Sequence, residues 1–187
     1  IHEACRAAGL PAYRAGQLAR WVFQHDAIGF DAVSDWPKVL REQWADDWSF
    51  RSTTIAERHE SGDGTIKFLV RLHDGETVET VLIPDTGYAR KQLAKSAELP
   101  AGRTEVCPTE SSAYPGEAPD RWTICLSTQV GCPIRCTFCA SGLGGLKRQC
   151  SPGEIVEQVL HARAAAGRRA DGSWPGLNLV VMGMGEP

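Results

Sequence analysis

No stretch of apolar residues in this chain approaches the roughly 20 that a helix needs to cross a membrane. The N-terminus shows no succession of basic, apolar and small residues of the kind that marks a secretory signal peptide. Charge of one sign is also missing. The net charge is −3, which makes no global case for nucleic-acid binding and leaves any such contact to local patches. The seven cysteines (Cys5, Cys107, Cys125, Cys132, Cys136, Cys139 and Cys150) are odd in number, and three of them crowd together. This argues against a secreted disulfide scaffold, and a reducing, cytoplasmic setting is expected. Apolar material is ample: 42% of the 187 residues are hydrophobic, enough for the core of one full domain or two small ones.

Residues 1–58 read as a helical segment. Leu18, Trp21, Val22 and His25 fall at helical spacing, and Trp36, Val39, Leu40, Gln43 and Trp44 repeat the pattern behind Asp35 as the expected N-cap. The tryptophans suggest a small pinned core. The same segment carries Arg14, Arg20, Lys38, Arg41 and Arg51, which either solvate its surface or grip RNA as an accessory domain. Residues 59–120 read as a β-hairpin and a long loop. Gly62-Asp63-Gly64 and Asp74-Gly75 are turn signals around the alternating run 65–72, and a second strand runs over 77–83. Residues 85–120 read as a long surface loop with a short helix around 91–98, and Cys107 there is expected to be incidental.

Residues 121–187 read β–loop–α–β. A strand over 122–127 feeds the loop Cys132-Pro133-Ile134-Arg135-Cys136-Thr137-Phe138-Cys139. Ser151-Pro152-Gly153-Glu154 is a capping box with proline at the first helical position, opening a helix expected to bury Ile155, Val156, Val159 and Leu160. A strand over 177–182 then runs into Gly183-Met184-Gly185-Glu186. Two strands joined by a helix form a parallel unit whose ligands sit at the C-terminal strand ends. The cysteine loop and the glycine turn both follow a strand at that end, so they are expected in one site.

The CxxxCxxC spacing is the most informative feature. Structural zinc takes four protein ligands, usually with CxxC pairs. Three thiolates on one loop suit a [4Fe–4S] cluster that keeps one iron free of protein. A zinc site completed by Cys125 or Cys150 is the alternative. Of the remaining candidates, Gly185 lets a backbone approach a ligand closely, and the Glu186 carboxylate can accept from an ammonium group. Cys125 alone reads as a small buried residue, Glu79 as the wet face of a strand, and Phe138 as core or as a shield beside the cysteines.

With these motifs in place, the chain resembles the radical S-adenosylmethionine (SAM) superfamily. Within it, the chain is similar to the adenine-C2 methyltransferases that act on 23S rRNA and certain tRNAs. The finer match rests on Tyr13-Arg14-Ala15-Gly16-Gln17 with Trp21, Asp63-Gly64-Thr65-Ile66-Lys67, Val78-Glu79-Thr80-Val81, Cys125-Leu126-Ser127-Thr128-Gln129-Val130-Gly131-Cys132, and the Gly-Met-Gly-Glu-Pro turn. It covers nearly the whole chain except 85–120, which is longer than the family's usual connection.

The resemblance implies an α/β fold: a helical accessory domain and a β-hairpin, followed by the first β-α-β unit of a partial (βα)6 barrel. It implies Cys132, Cys136 and Cys139 as cluster ligands, and Gly185 and Glu186, with Phe138, as SAM-binding residues. Cys125 becomes the resolving cysteine and Glu79 the proton acceptor. Adenine C2 is electron-poor, so direct transfer from a sulfonium fails. By resemblance, one SAM methylates an enzyme cysteine and a second is cleaved reductively. The resulting radical takes hydrogen from that methyl group, the carbon adds to C2, Glu79 removes a proton, and Cys125 releases the RNA by forming a disulfide. A flavodoxin-type reductant, 23S rRNA and tRNA are the implied partners, with no membrane contact and a monomeric state. Lys147 and Arg148 join the helical segment's basic residues as candidate phosphate contacts.

The chain begins at Ile1 and stops at Pro187 directly after the glycine turn, and is expected to be a piece of a longer enzyme. A six-unit barrel needs on the order of 190 residues, scaled from an eight-unit barrel, far more than 121–187 provide. The family's methyl-carrying cysteine lies in a later part, so the chain alone is expected not to turn over, and Cys150 is no substitute. Adenine-C8 methylation, a ferredoxin-like electron carrier and an RNA-binding module with a structural metal are the competing readings.

Overall fold

The structure, a computed structural model, describes residues 1–85, 119 and 121–186. The loop and short helix expected within 86–118, and Cys107 with them, lie outside the described residues. The chain divides into two compact units, Ile1–Thr54 and Ile55–Pro187.

The first unit is helical, with α1 (His2–Ala7), α2 (Ala12–Phe23), a 3-10 turn (Phe30–Ala32) and α3 (Lys38–Asp47). Its core gathers Cys5, Ala15, Leu18, Phe30, Val33, Trp36 and Trp44. Trp36 meets Trp44 edge-on with ring centroids 5.0 Å apart, and Phe30 meets Trp44 similarly at 5.7 Å. Such edge-to-face pairs add to what burial alone provides. Three details depart from the expected pattern. α2 stops at Phe23, short of His25. Val39 is 64% exposed, while Trp36 is buried from a position ahead of α3. Asp35 is not the cap of α3, whose N-cap is Pro37 with no side-chain bond. The Asp35 carboxylate accepts instead from Trp21 Nε1 at 2.9 Å and from Arg20.

The second unit is mixed α/β. Its elements are β1 (Thr54–Glu60), β2 (Ile66–Arg71), β3 (Thr77–Asp85), β4 (Arg121–Cys125), β5 (Gln129–Gly131), β6 (Leu146–Gln149), α4 (Pro152–Ala166) and β7 (Gly176–Val180). Five strands form one sheet in the order β1-β2-β3-β4-β7, and β5 pairs with β6 separately. The hairpin forms as expected, with β2 antiparallel to β3 and Val70 opposite Val78. Strand β3 then pairs antiparallel with β4 and places Val81 opposite Cys125. Strand β4 runs parallel to β7 across α4. Hairpin and β-α-β unit therefore share a single sheet.

Alternation along β2, β3 and β4 sends Ile66, Phe68, Val70, Val78, Leu82, Trp122 and Ile124 to the face that α4 covers. The capping box at Ser151 is present, with both of its bonds formed. The buried stripe of α4 differs from expectation. Ile155 and Val159 pack on the core, but Val156 is exposed, and the polar Glu154 and Gln158 are buried. At the β7 edge, Leu179, Val181 and Met182 are exposed. No helix among the described residues is long and apolar enough to cross a membrane.

Candidate functional site

The ends of β4 and β7 are laced together. Leu126 N donates to Val180 O at 2.8 Å, Gly183 N to Leu126 O at 2.9 Å, and Thr128 N to Met184 O at 3.0 Å. Buried Gln129 then clamps Glu186, two residues along. Its Nε2 donates to Glu186 O and its Oε1 accepts from Glu186 N, both at 3.0 Å. Both glycines of the turn are required. Gly185 has φ +102, and a Cβ there would lie 2.5 Å from Gln129 Cβ. A Cβ on Gly183 would lie 2.6 Å from both Leu126 O and Ser127 Oγ. Gly185 and Glu186 are thus brought against the segment that leads into the cysteine loop.

Glu79 and Cys125 lie on the sheet face away from α4. Cys125 is the register partner of Val81, and Glu79 stands two residues from Val81 on the same face. The Glu79 carboxylate is exposed and accepts from Lys67 Nζ at 3.0 Å. Cys125 is half-buried, and that burial pushes its thiol above the ordinary value, while a hydrogen bond with the Met182 backbone pulls the other way. At its ordinary or a raised value the thiol is mostly protonated at neutral pH, so attack as a thiolate needs a base nearby.

The hydroxyl of Ser127 links these parts. Its Oγ donates to Glu79 O at 2.5 Å and accepts from Met184 N at 2.8 Å. Gln158 of α4 fixes the same residue: its Nε2 donates to Ser127 O, and its Oε1 accepts from Ser127 N, both at 3.0 Å, and from Thr80 Oγ1 at 2.7 Å. Sequence reasoning missed Ser127, Gln129 and Gln158. The available signal was a glutamine four residues after the capping glutamate, on a helix face otherwise apolar.

The β5–β6 ribbon frames the cysteine loop. Gly131 has φ +79, and a Cβ there would fall 1.9 Å from Gly145 O. Arg135, between the first two cysteines, holds φ 55 despite its side chain. Non-glycine residues rarely adopt this conformation, which persists only where surroundings impose it. A Cβ on Gly142 would meet Arg135 Cα at 2.7 Å, so the turn Ala140–Gly142 closes directly on that backbone. Cys132 is buried, Cys136 exposed and Cys139 half-buried. Phe138 is 90% exposed, so its ring is not part of the core formed by the described residues.

Among the described residues every cysteine is free, so the implied disulfide is not formed among them. No group of three or more His, Cys, Asp and Glu side chains among them is gathered to hold a metal. Cys132, Cys136 and Cys139 fit an iron–sulfur cluster by donor type and by their shared loop. Cys150 packs in the hydrophobic core instead, its thiol pushed up to about 11 chiefly by burial.

The basic candidates beside this loop serve the fold. Lys147 Nζ pairs with both carboxylate oxygens of Glu76 at 2.8 Å. Arg148 donates to Asp74 at 2.7 Å and, through two nitrogens, to Glu154 at 2.9 Å. These pairs tie β6 to the β2–β3 turn and to the start of α4. In the helical unit Arg14 donates to Asp35 O at 2.8 Å, and Arg41 donates to Asp31 O.

No protein-family model matches the chain. Curated proteins do. It is 39% identical over 175 residues to the probable dual-specificity RNA methyltransferase RlmN of Akkermansia muciniphila, covering 94% of this chain and 40% of that protein. It is 38% identical over 192 residues to the probable dual-specificity RNA methyltransferase RlmN of Chlorobium phaeobacteroides, covering 100% of this chain and 44% of that protein. Among solved structures, a radical SAM methyltransferase from Sphaerobacter thermophilus matches with a TM-score of 0.73 and 36% identity, over 100% of this chain and 44% of that one. The chain spans less than half the length of these relatives.

Proposed function

Because the chain is a homologue, over nearly all its residues, of proteins named dual-specificity RNA methyltransferase RlmN, we propose that it supplies the cluster-ligating and cofactor-turn part of a radical SAM adenine-C2 RNA methyltransferase. Cys132, Cys136 and Cys139 would hold a [4Fe–4S] cluster, and Gly185 and Glu186 would receive the amino-acid end of SAM. When bound, the pair supplies the radical chemistry that an electron-poor C2 carbon needs. The exposed Phe138 ring would pack beside them. Glu79 would take the C2 proton, and Cys125 would resolve the link between enzyme and RNA. The sheet would continue past β7 into a (βα)6 barrel, and the helical unit would be the RNA-binding accessory domain. 23S rRNA and tRNA are the proposed substrates, and a flavodoxin-type protein the electron donor.

The observation that carries this reading is the lacing of the Gly183–Glu186 turn to Leu126–Gln129, directly ahead of the cysteine loop. A ligand at this turn lies at the C-terminal strand ends, where α/β sheets bind ligands. The test is anaerobic reconstitution of the chain with iron and sulfide, one-electron reduction with dithionite, and addition of SAM. A [4Fe–4S] EPR signal that shifts with SAM is expected. A preparation without acid-labile sulfide, or a cluster indifferent to SAM, overturns the reading. Mapping the methyl group on rRNA treated with the full-length protein decides between C2 and C8.

A further inference from the structure

We infer that Ser127 is a positioning residue that couples the Glu79 strand to the glycine turn. The inference rests on the roles proposed above for Glu79 and Gly185-Glu186. Ser127 is fully buried, and its one hydroxyl carries both bonds: it donates to the Glu79 carbonyl and accepts the Met184 amide. The hydroxyl cannot turn away from either without leaving a buried polar group unpaired.

Ser127 itself is held from the other side. The Gln158 amide bonds both its N–H and its C=O, and Thr80 occupies the same Gln158 oxygen. Helix α4 therefore fixes the backbone at Ser127 to the strand register on one side, while the hydroxyl fixes strand to turn on the other. Space is matched as well, because a Cβ on Gly183 would lie 2.6 Å from Ser127 Oγ. The turn approaches this hydroxyl only because residue 183 has no side chain.

The consequence is mechanical. A base on β3 and a cofactor end on the turn hold a fixed separation only if strand and turn move as one body. A misplacement of about 1 Å at a reacting centre costs on the order of 100-fold in rate. Ser127 touches neither substrate nor cofactor in this scheme and acts through Glu79 and Met184.

The test is NMR of the 187-residue chain. Gly185→Ala perturbs the turn, where φ is +102. In the wild-type background it should shift the amide resonances of Glu79 and Thr80. In Ser127→Ala that propagation should vanish, the Met184 amide should exchange about tenfold faster or more, and Ser127→Thr, which keeps the hydroxyl, should restore both. Absence of propagation in the wild-type background overturns the inference, and that measurement does not depend on any Ser127 variant folding. Undiminished propagation in Ser127→Ala also overturns it.

In the full-length protein, Ser127→Ala should lower kcat about tenfold or more while the KM for SAM changes less than about threefold. Equal effects on both would place Ser127 in ligand binding and overturn the inference. A wild-type protein that binds no SAM would sink the proposed function, and the coupling would then stand or fall on the amide shifts alone.

Discussion

The Arg148 guanidinium grips both carboxylate oxygens of Glu154 at 2.9 Å, while the same carboxylate closes the capping box of α4 through Ser151 N at 2.7 Å. Glu154 is 1% exposed, and Arg148 beside it holds its carboxyl down at about 2. His73 Nδ1 also lies 3.0 Å from it. A carboxyl whose folded value is depressed stabilises the fold above its ordinary value near 4.5 and loses that contribution as pH falls toward about 2. The contribution is on the order of 3 kcal/mol at neutral pH, shared with its partners. Denaturant unfolding between pH 5 and pH 2 should show this loss, and Glu154→Gln should flatten it. Arg148→Met strands a buried carboxylate and should cost about 3–5 kcal/mol.

The cysteine loop offers a backbone test. Gly131→Ala places a Cβ against Gly145 O at φ +79 and should destabilise by about 3 kcal/mol or more, measured by thermal unfolding. Arg135→Gly should stay within about 1 kcal/mol of wild type, since glycine adopts φ 55 freely. Arg135→Val should cost about 2 kcal/mol, because a β-branched side chain tolerates that backbone poorly.

Cysteine substitutions separate cluster ligation from packing. Cys136→Ser and Cys139→Ser should abolish acid-labile sulfide after reconstitution while changing stability by about 0.5 kcal/mol or less, as neither side chain is fully buried. Cys150→Ala should do the reverse, retaining the sulfide and losing about 1–2 kcal/mol from the core. Loss of metal in the Cys150 variant would favour the zinc alternative.

Glu79→Gln should leave the fold intact, because an exposed ion pair such as that with Lys67 contributes about 1 kcal/mol or less. Methyl transfer by the full-length protein should fall by about 100-fold or more if this carboxylate removes the C2 proton. An activity within about threefold of wild type would remove Glu79 from the mechanism.

Local chemistry made much of the second unit readable. Asp74-Gly75 turns the β2–β3 hairpin with Gly75 at φ +87, and Ser151 with Glu154 opens α4 as written. Apolar runs marked β4 and β7, and the α4 crossover made them parallel. The sequence pattern failed where neighbours supply polar partners. Gln158 is buried because Thr80 and Ser127 satisfy its amide, and Val156 is exposed because the core lies on the other side of its helix. Asp35 carries a capping residue's chemistry, but Trp21 and Arg20 claim its carboxylate. Lys147 and Arg148 find carboxylate partners in Glu76, Asp74 and Glu154. Such partners are distant in sequence, and periodicity carries no trace of them.

Among the described residues strand β7 is the last of the sheet, with Leu179 exposed, and Val181 and Met182 follow it into solvent. A rim of unpaired backbone amides and carbonyls flanked by greasy side chains is adhesive. Purified alone, this polypeptide should associate with itself as concentration rises, and Leu179→Lys, at a position 54% exposed on the rim of the face that α4 covers, should keep it dispersed.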